Sequence, residues 1–356
     1  MASLLRVTWA VNITVVYMTL THGAEGQHLY RLFLLGKGNI SLEREINMKG
    51  YKAFKKGLVC RGKKYTENTI FEEPEAILCE RGMHFCKNPI DVLNYYNLVD
   101  ENGEITEFAE VESLDEPVTD TGIKYCSTKL KIHEKLSFPQ FIHTCINFLL
   151  DRKHDIIAMV SSKDFSNLAG SKLYSCIVSF GHNSRIANSG DRSRIVSSGH
   201  YSQLANSGNT SLLINSGSNS ELASSGYYSR QASSGGYSHL ASAGGFSEQA
   251  SSGMHSYIAS SGNCSNIASL GNYSRLASSG DDAHINSKGE YSVICCAGNG
   301  SKVKAKKGSW ITLSEWVCED NREIPKCVKT EYVDGERIKE DTFYTLKNGE
   351  FVEVEK

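Results

Sequence analysis

The residues in this chain best suited to chemistry on a sugar–base bond lie in its first third. His84 sits in Gly82-Met83-His84-Phe85-Cys86, Tyr95 and Tyr96 follow, and Glu110-Val111-Glu112 comes next. On a strand, alternate side chains share a face, so Glu110 and Glu112 would point the same way. A histidine and a tyrosine can hold a nicotinamide ribose, while a carboxylate stabilises the oxocarbenium-like charge of the transition state. The plainer reading is a pair of surface carboxylates on an edge strand and a histidine satisfied by its neighbours. The sequence holds no GxxxxGK[ST], GxGxxG, GxSxG or HExxH.

That set resembles the signature of the ADP-ribosyltransferase superfamily. The resemblance implies His84, Tyr96, Glu110 and Glu112 as catalytic residues. It departs from the family in spacing, which is tighter here. It also departs in order, because the serine of the arginine–serine–glutamate version precedes the Glu-x-Glu pair, whereas Ser127-Thr128 follows it.

The elements that would position these residues belong to a segment of ordinary composition, 48–150, read as a small α+β domain. Strand-like runs lie at 51–54, 76–79, 83–86, 108–112 and 129–132. Pro89 opens a helical run through Tyr96, and the apolar stretch 141–150 reads as a second helix able to cover the end of whatever follows. The chain has 356 residues and a formal charge of -2, which gives no reason to expect nucleic acid or an anionic membrane as partner. Its 11 cysteines are odd in number, irregularly spaced and without a CxxC, so they read as reduced thiols in a cytoplasmic protein rather than as disulfides or a metal site. No cofactor is implied.

From residue 163 to 306 the chain repeats every nine residues, sixteen times, with the consensus G-x-[Y/F]-S-x-[L/I]-A-S-S. Position 4 is Ser in 15 of 16 units, with Ala283 the exception, and position 6 is Leu, Ile or Val in 14, with Gln231 and Gln249 the exceptions. One large aliphatic per nine residues cannot build a globule, but it can fill a narrow parallel β-solenoid. Alternation sends positions 4, 6 and 8 inward and positions 3 and 5 outward. Glycine is expected to supply a positive-φ corner at position 1. The fifth rank (Arg185, Arg194, Gln203, Leu212, Glu221, Arg230, His239, Glu248, Tyr257) reads as varied and solvated. The third rank carries Tyr201, Tyr228, Tyr237, Phe246, Tyr273 and Tyr291 as candidate binding residues for a protein or a glycan, or as a ladder between coils. Two units per coil and three per coil are both open, with the even division favouring two.

Residues 151–162 read as a connector and 307–356 as a β-rich cap that closes the last coil, with Asp334-Gly335 and Asn348-Gly349 as turn signals. Residues 1–47 match nothing that follows. They read as translated upstream sequence ahead of Met48, or as a secretory leader.

The segments Tyr51-Lys52-Ala53-Phe54 and Gly82 to Pro89, the GxYSxLASS array and the close from Gly308 to Val354 together resemble an uncharacterised family of bacterial and phage proteins. The resemblance covers 48–356 and implies an N-terminal domain of unknown function, a repeat array and a C-terminal β domain. The expected protein is mainly β: a non-enzymatic, rigid β-solenoid that presents an N-terminal protein-binding domain and is free to form homo-oligomers. The alternatives are the ADP-ribosyltransferase-like effector and an extracellular adhesin from which residues 1–24 are cleaved on secretion.

Overall fold

The computed structural model describes residues 47–151 and 158–354 and, before them, the backbone of four antiparallel strands within residues 3–44. The reading of residues 1–47 as upstream sequence or leader lies outside the described residues. Two compact units divide the chain, and they do not follow chain order. The first contains residues 64–91 and 109–135. The second joins 53–63 and 92–108 to everything from Leu136 onward.

The N-terminal sheet has seven strands: β1 (Met48–Phe54), β2 (Thr69–Glu72), β3 (Met83–Cys86), β4 (Glu107–Ser113), β5 (Val118–Thr119), β6 (Lys124–Ser127) and β7 (Lys129–Leu136). Their spatial order is β5-β6-β3-β1-β4-β7-β2. The strand expected at 76–79 is instead a tight turn. Ile77 bridges Arg81, and Cys79 takes a left-handed φ of 67° that reverses the chain. The run after Pro89 is a 3-10 helix, Pro89–Asn94, and not an α-helix. Only α1 (Phe138–Asp151) is α-helical among the described residues. A capping box opens it: Gln140 N–H donates to Ser137 Oγ at 3.4 Å, and Ser137 N–H donates to Gln140 Oε1 at 2.7 Å. The helix packs on the strand Arg230–Ser233, along the side of the solenoid and not over its end.

The repeat forms a parallel β-solenoid. Each nine-residue unit gives a short strand, four residues from positions 5 to 8 in all but the last unit (Lys302–Lys304), and successive strands alternate between two sheets. Each strand pairs in register with the one eighteen residues on, as in Gln203↔Glu221 and Arg230↔Glu248, so one coil holds two units. The aliphatics of position 6 stack into a spine that includes Ile195, Leu204, Leu213, Leu222, Leu240 and Ile258, each at most 1% exposed. Burial at that level is worth about 1.5–3 kcal/mol per side chain.

Hydrogen bonds among small polar residues set the corners. The position 4 hydroxyl donates to the position 1 carbonyl of its own unit, as from Ser202 to Gly199 (2.9 Å) and from Ser238 to Gly235 (2.9 Å). The position 8 hydroxyl then donates to the next position 4, as from Ser233 to Ser238 at 3.0 Å. Serine fits because its short side chain reaches the backbone without filling the narrow interior.

The expectation for glycine is corrected. None of the repeat glycines from Gly181 to Gly298 has positive φ; the left-handed residue is position 3, with φ between 53° and 59° in fifteen non-glycine residues from Phe165 to Tyr291. Glycine is needed at position 1 for space. A Cβ on Gly235 would stand 2.0 Å from the carbonyl oxygen of Gly217 in the coil below. The bent position 3 is held by its amide, which donates to the next coil, as from Tyr237 to Met254 O at 2.9 Å. Left-handed geometry costs an ordinary residue about 1–2 kcal/mol, and a β-branched one suffers most. Thr210, at φ 55°, is therefore the most strained of these positions. Thr210→Asn should raise stability by roughly 1 kcal/mol, read as a higher thermal midpoint, because Asn tolerates this geometry. Asn183 and Asn219 already occupy it at φ 55° and 56°.

The two breaks in the spine face each other in adjacent coils. Gln249 Nε2 donates to Gln231 Oε1 at 2.8 Å, and Gln231 Nε2 donates to Ala241 O at 2.7 Å. Both are fully buried. Replacing one by Leu takes away the other's side-chain partner and leaves it a main-chain carbonyl alone, Ala241 O for Gln231 or Ala259 O for Gln249, at a cost of about 1–3 kcal/mol, whereas replacing both restores the spine. The double variant Gln231→Leu/Gln249→Leu should therefore be at least as stable as wild type and each single variant less stable, measured by urea titration.

The C-terminal end is closed. The hairpin of Trp310–Glu319 and Arg322–Tyr332 ends one sheet, and the hairpin of Tyr344–Lys347 and Glu350–Glu353 ends the other. Antiparallel strands supply the final edges, as expected of a cap.

Candidate functional site

Of the four residues expected to act together, three are held by a local partner. His84 Nε2 accepts from Cys79 N–H at 3.0 Å, Tyr96 OH meets Cys60 Sγ at 2.8 Å, and Glu112 Oε2 lies 3.2 Å from His133 Nε2. Glu110 is exposed and shares a strand face with Glu112, as alternation requires.

The more informative surface is the solenoid, because its two sheets carry the same pattern and meet different fates. The sheet through Asn167–Gly170, Arg185–Asn188 and so on to Val293–Cys296 has positions 5 and 7 exposed in every coil. The other, from Ala158–Ser161 to Lys302–Lys304, has position 7 buried in every coil from Val178 on. Its position 5 is buried or half-buried throughout, so the expectation of a solvated fifth rank holds on one sheet only. Leu212 and Glu248 are 6% and 7% exposed.

Part of the cover is the chain itself. Residues 93–104 cross successive coils of this covered face. Arg230 Nη1 donates to Leu93 O at 2.6 Å, and Glu248 Oε2 accepts from Leu98 N–H and from Val99 N–H, the latter at 3.2 Å. His284 Nδ1 meets Glu101 O at 2.7 Å, and Asn286 Nδ2 donates to Gly103 O at 2.8 Å. These four coil residues bind main-chain atoms. Glu104 completes the strap by pairing with Lys288 and with Lys304 Nζ at 3.0 Å.

Burial shapes the charge at these contacts. It pushes the Glu248 carboxyl up against the opposing pull of Arg230 and the two amides, and it pulls His284 down. At Glu104 burial also favours the neutral acid, but hydrogen bonds and charge from Lys288 and Lys304 win and bring it down to about 2.

The exposed face is flat and shallow. Alanine fills position 7 in seven successive coils from Ala169 to Ala277 and floors a groove of about 1010 Å³ edged by Ser207, Ser225 and Ser261. A ridge of fifth-position side chains runs beside it: Arg185 Nε donates to Gln203 Oε1 at 3.2 Å, and Gln203 Nε2 donates to Glu221 Oε2 at 3.0 Å. Nearer the cap the same ridge turns aromatic. The Arg275 guanidinium lies 4.9 Å from the Tyr257 ring centroid, and Trp310 meets Tyr332 at 5.1 Å.

The third-rank aromatics occupy two corners. Tyr201, Tyr237, Tyr273 and Tyr291 precede strands of the exposed face, and Tyr228 and Phe246 precede strands of the covered one. Tyr237, His255, Tyr273 and Tyr291 form one stack, with centroids 4.9, 5.1 and 5.5 Å apart and planes within 16°. Tyr228 stacks on Phe246 at 5.1 Å. In such a stack ring faces are turned to each other and edges to solvent, the geometry of a ladder between coils. A sugar needs a free ring face.

Residues 48–144 match a family described as a domain of unknown function, DUF7666. No curated protein matches the chain, and no solved structure does. The match begins at Met48 and ends within α1.

The strap and its seats were missed by sequence reasoning. A signal existed in the eighteen-residue sub-period. Sorting the units into alternate sets leaves position 7 small in one set (Ala169 through Ala277, then Cys295) and mixed in the other, which runs Val178, Val196, Ile214, then three alanines, then Asn286 and Lys304.

Proposed function

We propose that this chain is a non-enzymatic interaction protein in which a stiff β-solenoid carries a protein-binding domain, residues 48–144. The observation that supports this reading is the unbroken register: strand pairs hold an exact eighteen-residue offset from Ala158↔Cys176 to Arg275↔Val293. With a close backbone approach at every position 1 glycine, such a stack resists bending and shear, which suits a support and gives no hinge for a closing active site. A bacterial or phage origin accords with the resemblance of the two flanks and the array.

The test is cross-linking mass spectrometry in the native host with the full chain as bait. Cross-links from one partner protein should concentrate on exposed lysines of the N-terminal domain, such as Lys55 and Lys56. Consumption of NAD by the purified chain that is lost in Glu112→Gln would overturn the reading in favour of the transferase-like alternative.

A further inference from the structure

A thiol and an amine meet beside the N-terminal sheet, and neither enters the functions considered above. Lys124 Nζ donates to Cys79 Sγ at 2.9 Å, although the two residues lie 45 positions apart. Local structure brings them together. The turn from Ile77 to Arg81 reverses the chain through Cys79, at φ 67°, and the Cys79 amide is fixed by His84 Nε2 at 3.0 Å. β3 then runs beside β6, with His84 opposite Cys126 and Cys86 opposite Lys124. The turn folds back on this pair of strands, and its tip carries Cys79 to the lysine that starts β6.

Lys124 thus stands by two thiols, and their surroundings separate them. Cys86 is buried, and burial, reinforced by the Asp91 charge, pushes its thiol up to about 12, so it stays protonated. Cys126, under the same turn, is also buried and donates to Arg81 O at 3.1 Å. Cys79 is exposed. Reactive thiols occupy exposed, electropositive places, whereas buried ones are inert. Arg81, the other cation of the turn, is directed to Glu75 at 3.4 Å, which leaves Lys124 as the group on the Cys79 sulfur. Their separation is inside the roughly 3–3.5 Å of a near-attack arrangement, so a bond between them needs little movement.

We infer that Cys79 is a peroxide-reactive thiol and that Lys124 captures its oxidised form through a covalent S–N bond. The co-reactant is hydrogen peroxide. The Cys79 thiolate attacks one peroxide oxygen: the S–O bond forms, the O–O bond breaks, and the departing hydroxide takes a proton from the Lys124 ammonium to leave as water. Sulfur has lost two electrons and peroxide has gained them, which gives a sulfenic acid beside a neutral amine. The Lys124 nitrogen then attacks sulfur. The S–N bond forms, the S–O bond breaks, and hydroxide leaves as a second water with a proton from that nitrogen. The product staples the turn to β6. Two equivalents of a thiol reverse it, restoring Cys79 and Lys124 and leaving the thiol as its disulfide. Capture also stops the oxidation short of sulfinic acid, which thiols do not reverse. This inference does not depend on what residues 48–144 bind.

The test uses the reduced full chain, treated with hydrogen peroxide, alkylated, digested and read by mass spectrometry. The peptides that hold Cys79 and Lys124 should appear joined and two hydrogen atoms lighter than their sum, and dithiothreitol should separate them. Cys79 should be consumed about tenfold faster than Cys295 or Cys318, the other exposed cysteines among the described residues. In Lys124→Arg, which keeps the positive charge but removes the amine, the joined product should vanish and Cys79 should pass on to sulfinic acid. An unchanged thermal midpoint shows that this variant is folded; if it is not, fragment ions that locate the wild-type bond on Lys124 decide the matter. Equal oxidation of the three exposed cysteines overturns the inference. So does oxidation of Cys79 without a bond to Lys124, or a joined product that survives in Lys124→Arg, which would be a disulfide to Cys86 or Cys126.

Discussion

Gly235→Ala should destabilise the protein by about 4 kcal/mol or more, in the range reserved for buried steric faults. The added methyl would stand 2.0 Å from Gly217 O and 2.5 Å from Gly217 C, both main-chain atoms that cannot rotate away. Relief requires prying two coils apart, which breaks ladder hydrogen bonds on either side of the corner. The adjacent Gly236→Ala is the control, because its new methyl meets nothing closer than Met254 O at 3.4 Å. Guanidinium titrations of the two variants should show a large loss at 235 and one within about 1 kcal/mol at 236. Equal losses would mean that corner flexibility, and not coil spacing, selects glycine.

Glu104→Gln should cost about 3–5 kcal/mol at neutral pH, the penalty for leaving buried charge without its partner. Lys304 is 5% exposed and keeps its ammonium beside Glu104, with Lys288 on the other carboxylate oxygen. The folded carboxyl titrates at about 2 against 4.5 for the free side chain. Because the folded value is the lower one, this contribution is fully present above pH 4.5 and is lost as pH falls toward 2. Its size is about 3 kcal/mol, from 1.36 kcal/mol per unit of displacement. Urea titrations from pH 7 to pH 2 should therefore show wild type and variant converging at the acid end. A difference that stays constant across that range would show that the pair adds nothing through charge.

The architecture was largely legible because a solenoid writes its geometry into every unit. The position 6 aliphatics, the inward serines and the length of the period follow from residues a few positions apart, and the structure keeps all three. The strands at 83–86, 108–112 and 129–132 and the close from Trp310 were legible for the same reason: hydrophobic alternation is local. The turn at Ile77–Arg81 was not, since the apolar run Ala76-Ile77-Leu78-Cys79 does not reveal that Cys79 adopts a left-handed φ. The role of glycine was misassigned because its usual use, positive φ, is a local property, whereas here it answers to an atom eighteen residues away.

What the sequence by itself determined is the coil: one aliphatic, two inward hydroxyls and one unsubstituted Cα per nine residues admit a stacked β-solenoid and little else. What only the tertiary structure decided is which of two chemically similar faces is covered. Residues 93–104 lie over one hundred positions before most of the side chains that hold them, and they are bound through main-chain atoms that every residue possesses. No spacing rule marks such a segment. Its seat, Arg230 to Asn286, becomes recognisable only when the coil brings residues eighteen apart into one row.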